Sequence, residues 1–128
     1  MSDRQRNKPT RLALAAVTIA ALSVLGAACA PRASTASSDA VYEAIDKAFG
    51  PYGQTAKAIR VADCESGLNP NAGYPDDYYK GLFQLNPNVV AIRQYGGDFF
   101  DPYQNAAAAR DLFVTRGDWS AWPNCGRA

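Results

Sequence analysis

Two cysteines, Cys64 and Cys125, constrain the fold of this chain more than any other feature of its sequence. They lie in a segment of about ninety residues that follows an N-terminal leader, and a segment of that length can bury only a small core. In an exported domain an even pair of cysteines favours a disulfide, and two free thiols are the alternative. The bond would close a loop of about sixty residues and stabilise the fold by about 4 kcal/mol on the chain-entropy model. The sequence therefore predicts a small domain cross-linked by one disulfide.

Residues 1–28 have the pattern of a secretory signal peptide. Four basic side chains precede an uncharged run of seventeen residues, Leu12–Ala28, and small residues follow this run. A basic start, an apolar run and a small-residue end are typical of a signal that is removed on export. The alternative is a retained membrane anchor, for which seventeen residues is close to the shortest length that spans a bilayer. We expect an exported protein of the cell envelope or the extracellular space.

The residue after this run introduces the question of a lipid anchor. Gly26-Ala27-Ala28-Cys29 resembles the processing site of bacterial lipoproteins, in which the cysteine becomes the lipidated first residue. Gly26 stands where that pattern has a larger aliphatic residue, so cleavage near Cys29 without lipidation is the alternative. Residues 29–38 predict a flexible tether. Residues 39–128 then form the one folded domain.

The composition of residues 39–128 excludes several classes of function. Five of the 13 Lys and Arg residues and one of the 12 Asp and Glu residues precede this segment, so its net charge is −3. This charge predicts no surface for nucleic acid. The chain has no His, which excludes Ser-His-Asp and Cys-His catalysis and the usual zinc sites. We expect no metal and no cofactor, and the only glutamates are Glu43 and Glu65.

Apolar spacing and helix-end signals predict a series of short helices in this domain. The predicted helices span residues 39–49, 55–66, 86–94 and 101–116. Gly67 is placed to end the second helix in the left-handed conformation. The segment between the second and third helices, residues 69–80, predicts a loop or a small irregular hairpin.

Glu65 has an uncommon position on the second predicted helix. It shares one helical face with three apolar residues, Ala58, Val61 and Ala62. Loss of hydration and the negative end of the helix dipole both raise the pKa of a carboxyl group in this position. A glutamic acid that keeps its proton near neutral pH can protonate the leaving oxygen of a glycosidic bond. The alternative is that Glu65 merely frays into solvent at the helix end.

The sequence around Glu65 closely resembles that of a known enzyme family. The segments Glu65-Ser66-Gly67-Leu68-Asn69-Pro70 and Gly81-Leu82-Phe83-Gln84 are similar to those of the lytic transglycosylases with a lysozyme-like fold. Ala121-Trp122-Pro123-Asn124-Cys125, with Cys64 directly before Glu65, resembles the resuscitation-promoting factors of actinobacteria. The resemblance covers roughly residues 40–126. It implies a mainly α, lysozyme-like α+β fold, in which a small bundle of short helices surrounds a cleft, with a minor loop or hairpin and one disulfide.

The resemblance also implies an exported enzyme that cleaves the β-1,4 bond between N-acetylmuramic acid and N-acetylglucosamine in peptidoglycan. Glu65 matches the family's single acid/base, which protonates the glycosidic oxygen and then helps the sugar's own 6-hydroxyl to close a 1,6-anhydro ring. Aromatic faces suit sugar rings, although we expect Trp122 to lie in the core beside the disulfide. The expected substrate-binding residues are Ser66, which also supports the site, and Gln84, Tyr79, Asn105 and Trp119.

Two alternatives to this function remain. Asp76 or Asp77 would permit hydrolysis, as in a muramidase, if either carboxylate faced Glu65, although a solvated turn is the simpler interpretation of this pair. A non-catalytic glycan-binding envelope lipoprotein is the alternative from another class, and the presence of both Glu65 and Gln84 argues against it. We expect a monomer that binds peptidoglycan glycan strands. We expect no binding of nucleic acid, and contact with a membrane only through a lipid on Cys29.

Overall fold

The structure, a computed structural model, describes residues 36–88 and 92–127. The predicted signal peptide, the lipidation site at Cys29 and most of the tether lie outside the described residues. Within these ranges the chain forms three α-helices and three short 3-10 turns. The α-helices are α1 (Ser38–Phe49), α2 (Thr55–Ser66) and α3 (Pro102–Arg116). The 3-10 turns are Gly50–Tyr52, Ile92–Tyr95 and Cys125–Arg127.

This arrangement confirms the mainly helical class. The described ranges contain no β-strand, and the one isolated antiparallel bridge joins Lys80 to Leu85. That bridge closes a tight turn, which we call the Gln84 turn and define as residues 80–85. None of the helices in the described ranges combines the length and the hydropathy that a membrane span requires.

The ends of α2 and α3 follow from local sequence. Gly67 ends α2 in the left-handed conformation, at φ 65° and ψ 33°, and its N–H donates to the carbonyls of Ala62 and Asp63. The Asp101 side chain caps α3 by accepting a hydrogen bond from the N–H of Gln104. The predicted bounds of both helices are therefore confirmed.

The prediction of a helix over residues 86–94 was wrong. Residues 86–88 form a turn in which the Asn86 side chain accepts a hydrogen bond from the N–H of Asn88, at 2.9 Å. Helical structure returns only as the 3-10 turn Ile92–Tyr95, and residues 89–91 lie outside the described residues. The segment contains Pro87 and two valines and is followed by two glycines, so it has few residues that favour a continuous helix. The end of this segment is held by side-chain contacts with α3 instead of a continuous helix. Gln94 and Tyr95 both donate hydrogen bonds to Asp111.

The core lies between α1 and the two other helices. The buried face of α1 packs against α2 and against alanines of α3, whose small side chains let the two helices approach closely. Beneath these helices lie three apolar side chains of the Gln84 turn, Leu82, Phe83 and Leu85, each 0–2% exposed. Burying each of these side chains contributes about 1.5–3 kcal/mol to folding. The turn is therefore held by the core of the domain, although it has no regular secondary structure.

The C-terminal tail completes the core from the side of α2. Trp122 is 4% exposed, and its indole N–H donates to the carbonyl of Phe83 at 2.9 Å. Cys125 forms a disulfide with Cys64, with 5.6 Å between the two Cα atoms. The structure thus confirms the predicted disulfide and the core position of Trp122, and the alternative of two free thiols was wrong.

Candidate functional site

Glu65 lies in the last turn of α2 with its side chain partly buried. Burial removes water from the carboxyl group and raises its pKa above the ordinary glutamate value. The carboxyl makes no hydrogen bond or ion pair with another residue of the described ranges. The backbone is still helical at Glu65 because α2 continues through Ser66, and the partial burial of the side chain disfavours the alternative that Glu65 frays into solvent. The site therefore contains a desolvated acid whose donor and acceptor atoms remain available.

Ser66 joins the end of α2 to the Gln84 turn. Its hydroxyl lies 2.7 Å from the carbonyl oxygen of Leu82 and 3.0 Å from that of Ala62, and it donates to these oxygens. The bond to Leu82 brings together two segments that are 16 residues apart in sequence. Ser66 therefore positions the Gln84 turn relative to α2, and its hydroxyl proton is engaged by protein carbonyls.

Gln84 has a backbone conformation that is uncommon for its residue type. Its φ is +48°, a left-handed value that costs about 1–3 kcal/mol for a residue with a side chain and is often found at functional sites. The side-chain amide donates to the carbonyls of Gly81 at 2.9 Å and Ala72 at 3.3 Å. With both bonds made by the nitrogen, the amide oxygen has no partner among the described residues. The fold thus orients an acceptor oxygen that a ligand can use.

Asn105 lies in the core, and this position corrects its predicted role as a substrate-binding residue. Its side chain is 0% exposed and is saturated by backbone groups. The amide oxygen accepts from Phe83 N–H at 2.9 Å, and the nitrogen donates to the carbonyls of Phe99 at 2.8 Å and Lys80 at 3.1 Å. Asn105 therefore positions the Gln84 turn from inside and has no group left for a ligand.

A hollow of about 190 Å³ extends from the Gln84 turn to the end of α3, and we call it the Gln84 pocket. Glu65 is not among its lining residues. Tyr79, which is 51% exposed, forms part of its wall and packs edge-on against Tyr78 with 5.1 Å between ring centroids. The lining also includes Asn86, Leu112, Arg116 and Trp122.

Trp119 is partly buried and belongs to the aromatic core on one side. Its ring stacks on Phe49 with 5.2 Å between centroids, and its indole N–H donates to the side-chain oxygen of Gln54 at 3.1 Å. On the other side it lines a second hollow of about 330 Å³ together with Trp122 and Arg127. A ligand can therefore reach part of the Trp119 ring, but not its engaged N–H group.

Asp76 and Asp77 are exposed on the loop that precedes the Gln84 turn. The N–H of Asp77 donates to the carbonyl of Gly73 at 3.1 Å, which is a turn interaction. Neither carboxylate makes a hydrogen bond with Glu65 in the described part of the chain. This placement agrees with the interpretation of a solvated turn.

Arg116 was not predicted from the sequence as a site residue. A cation in the last turn of a helix is the common partner of the helix dipole, so its sequence position carries no separate signal for a binding role. Within the described ranges no group of three or more His, Cys, Asp or Glu side chains is arranged to hold a metal ion. Comparisons of the chain with protein-family models, curated proteins and solved structures found no match. Function is therefore inferred from the geometry of Glu65 and the Gln84 turn and from the sequence motifs.

Proposed function

We propose that this protein is an exported enzyme that cleaves the β-1,4 bond between N-acetylmuramic acid and N-acetylglucosamine in peptidoglycan. It acts as a lytic transglycosylase on a lysozyme-like fold, with Glu65 as its single acid/base. The observation that carries this proposal is the partly buried Glu65 carboxyl, whose pKa is raised and which has no partner in the described residues. A structural carboxylate of this kind would be expected to pair with a donor, whereas a proton donor to substrate must remain unpaired.

The reaction uses one carboxyl group for two proton transfers, first as an acid and then as a base. Protonated Glu65 donates to the oxygen that bridges the two sugars, and the bond from this oxygen to C1 of N-acetylmuramic acid breaks. The resulting carboxylate accepts the proton of the 6-hydroxyl on the same sugar, while that oxygen bonds to C1 and closes the 1,6-anhydro ring. Glu65 returns to its protonated state, so the cycle needs no second carboxylate.

The Gln84 turn supplies the polar contact that this chemistry requires nearby. The hydrogen bond from Ser66 to Leu82 ties the turn to the helix end that carries Glu65. The amide oxygen of Gln84, which has no described partner, is suited to accept a hydrogen bond from a sugar hydroxyl or an N-acetyl N–H group. The predicted signal peptide and the Cys64–Cys125 disulfide both agree with an enzyme that works outside the cytoplasm.

The test is cleavage of purified cell-wall sacculi, followed by mass spectrometry of the soluble products. We expect Glu65→Gln to reduce the rate by about 10²-fold or more, since it removes the transferable proton. Glu43→Gln is the matched control, because Glu43 is the other glutamate of the domain and lies exposed on α1. A wild-type rate in Glu65→Gln would refute the mechanism.

The products distinguish the proposal from its alternatives. Anhydromuramic ends are expected from the transglycosylase course. Reducing ends would identify a hydrolytic muramidase and would require a search for a second carboxyl group, starting with Asp76 and Asp77. Binding of sacculi without release of any soluble product would identify a non-catalytic glycan-binding protein.

A further inference from the structure

We propose that the Gln84 pocket binds a carboxylate group carried by the substrate glycan, and that Arg116 recognises its charge. This inference rests on the proposed function and adds a requirement for the substituents of the sugar. It assigns a specificity role to a residue at the end of α3, which the cleavage chemistry itself does not use.

Arg116 has the availability that recognition of an anion requires. It is exposed in the last turn of α3, and it forms no ion pair with a carboxylate of the described residues. Arg110, one turn and a half earlier on the same helix, is already paired with Asp111 at 2.7 Å. The guanidinium of Arg116 therefore keeps its hydrogen-bond donors for a ligand.

Asp118 is the acidic group that acts electrostatically on Arg116. The pKa of Asp118 is lowered, first by hydrogen bonds from Ser120 and to a smaller extent by the charge of Arg116. The Asp118 carboxylate accepts the N–H of Ser120 at 2.8 Å, which holds it in its own turn. Asp118 thus adds a weak attraction and does not occupy the guanidinium.

Arg116 lines the same hollow as Gln84, the residue proposed to contact the glycan. Tyr79 and Trp122 also belong to its lining. At about 190 Å³ the hollow is smaller than the 300–1,000 Å³ of pockets that enclose a whole ligand, so it suits one substituent of a longer molecule. A glycan in contact with Gln84 would direct a substituent toward Arg116.

Peptidoglycan carries carboxylates in two places, and both have the chemistry that Arg116 can recognise. The lactyl group of N-acetylmuramic acid ends in a carboxyl group, which is free where the peptide stem has been removed. Where the stem is present, the carboxylates lie on its amino acids. The planar guanidinium of arginine matches a carboxylate with two parallel hydrogen bonds, which gives selectivity as well as affinity.

Calorimetric titration with three soluble probes tests the proposal. The neutral probe is the disaccharide of N-acetylglucosamine. The first anionic probe is N-acetylglucosaminyl-N-acetylmuramic acid with a free lactyl carboxylate, and the second is the same disaccharide with a short peptide stem. None of them contains the bond that the proposed enzyme cleaves, so binding is measured without turnover.

The comparison uses the wild-type protein, Arg116→Gln and the control Arg60→Gln. Arg60 is exposed on α2, so its replacement removes the same charge from a different place. We expect the wild type to bind at least one anionic probe about tenfold more tightly than the neutral probe. In Arg116→Gln this ratio should fall close to one with the neutral affinity unchanged, while Arg60→Gln keeps the wild-type ratio. The preference should also weaken as salt is added.

Each outcome supports or overturns the proposal. Preference for the free lactyl probe identifies the lactyl carboxylate, and preference for the stem probe alone identifies the peptide. Equal affinity for all three probes, no binding of any of them, or an equal loss for all probes in Arg116→Gln overturns it. If the wild type cleaves sacculi but shows no preference, this inference fails and the proposed function stands. If the wild type shows the preference but Glu65→Gln cleaves sacculi like the wild type, this inference stands and the role of Glu65 as acid/base fails.

Discussion

Replacing Asn105 by alanine should destabilise the domain strongly, although the side chain contacts no ligand. The substitution removes three hydrogen bonds to backbone groups, and these groups differ in whether they keep another partner. The carbonyl of Lys80 keeps a second bond, from the N–H of Leu85 at 2.9 Å. The buried N–H of Phe83 and the partly buried carbonyl of Phe99 have no other partner in the described part of the chain.

These two orphaned groups determine the magnitude. A buried polar group without a partner costs about 1–3 kcal/mol, and the more accessible carbonyl of Phe99 belongs at the low end of that range. We expect a loss of about 2–4 kcal/mol in the free energy of unfolding. For a domain of this size that loss lowers the melting temperature by about 10–25 °C.

Urea denaturation followed by circular dichroism, with the disulfide intact, measures this loss. Asn124→Ala is the matched control, because Asn124 is exposed and has no hydrogen bond with another described residue. Its effect should stay within about 0.5 kcal/mol. A loss below about 1 kcal/mol in Asn105→Ala would show that the turn does not depend on this side chain and that Asn105 is not a positioning residue.

Two further predictions concern stability. The double variant Cys64→Ser/Cys125→Ser should lose about 4 kcal/mol, since the bond closes a loop with a sequence separation of 61 residues; equal melting temperatures for oxidised and reduced wild type would contradict this. Burial raises the pKa of Glu65 above its unfolded value, so the folded state binds more protons in the interval between the two values. Stability from this group is complete below the ordinary glutamate pKa of about 4.3 and is lost as the pH rises through the folded value. Relative to the wild type, the free energy of unfolding of Glu65→Gln should therefore increase as the pH rises above about 4, as measured by urea denaturation at several pH values. An equal pH dependence of this free energy in the two proteins would contradict the prediction.

The elements that could be predicted from sequence are those governed by local chemistry. Gly67 is followed closely by Pro70, so α2 has one place to end. Asp101 and Pro102 specify the start of α3 in the same way. The disulfide was predicted from two cysteines in a domain that follows a predicted export signal, without any knowledge of the fold.

The parts that failed depend on contacts between distant residues. The local sequence does not distinguish an asparagine that faces a ligand from one that holds a distant turn. Asn105 is of the second kind, because it bonds to residues that lie 22 and 25 positions earlier in the chain. The left-handed conformation of Gln84 has no local sequence signal, because the residue is not a glycine. We attribute it to the packing of the turn against the core. Arg116 became a candidate only when the structure placed it beside the Gln84 turn.

The hydrogen bond from Ser66 to Leu82 joins the end of α2 directly to the Gln84 turn. The position of Gln84 relative to Glu65 therefore does not depend on the loop that connects them in sequence. A second bond, from the N–H of Gly81 to the carbonyl of Ala72 at 2.8 Å, fixes the loop from its other side. Residues 74–79 project beyond these two bonds, and their three tyrosines are more than half exposed. Substitutions at this tip can change what a ligand meets while Glu65 and Gln84 keep their spacing. Related chains could therefore differ along residues 74–79 and still share one arrangement of Glu65 and Gln84.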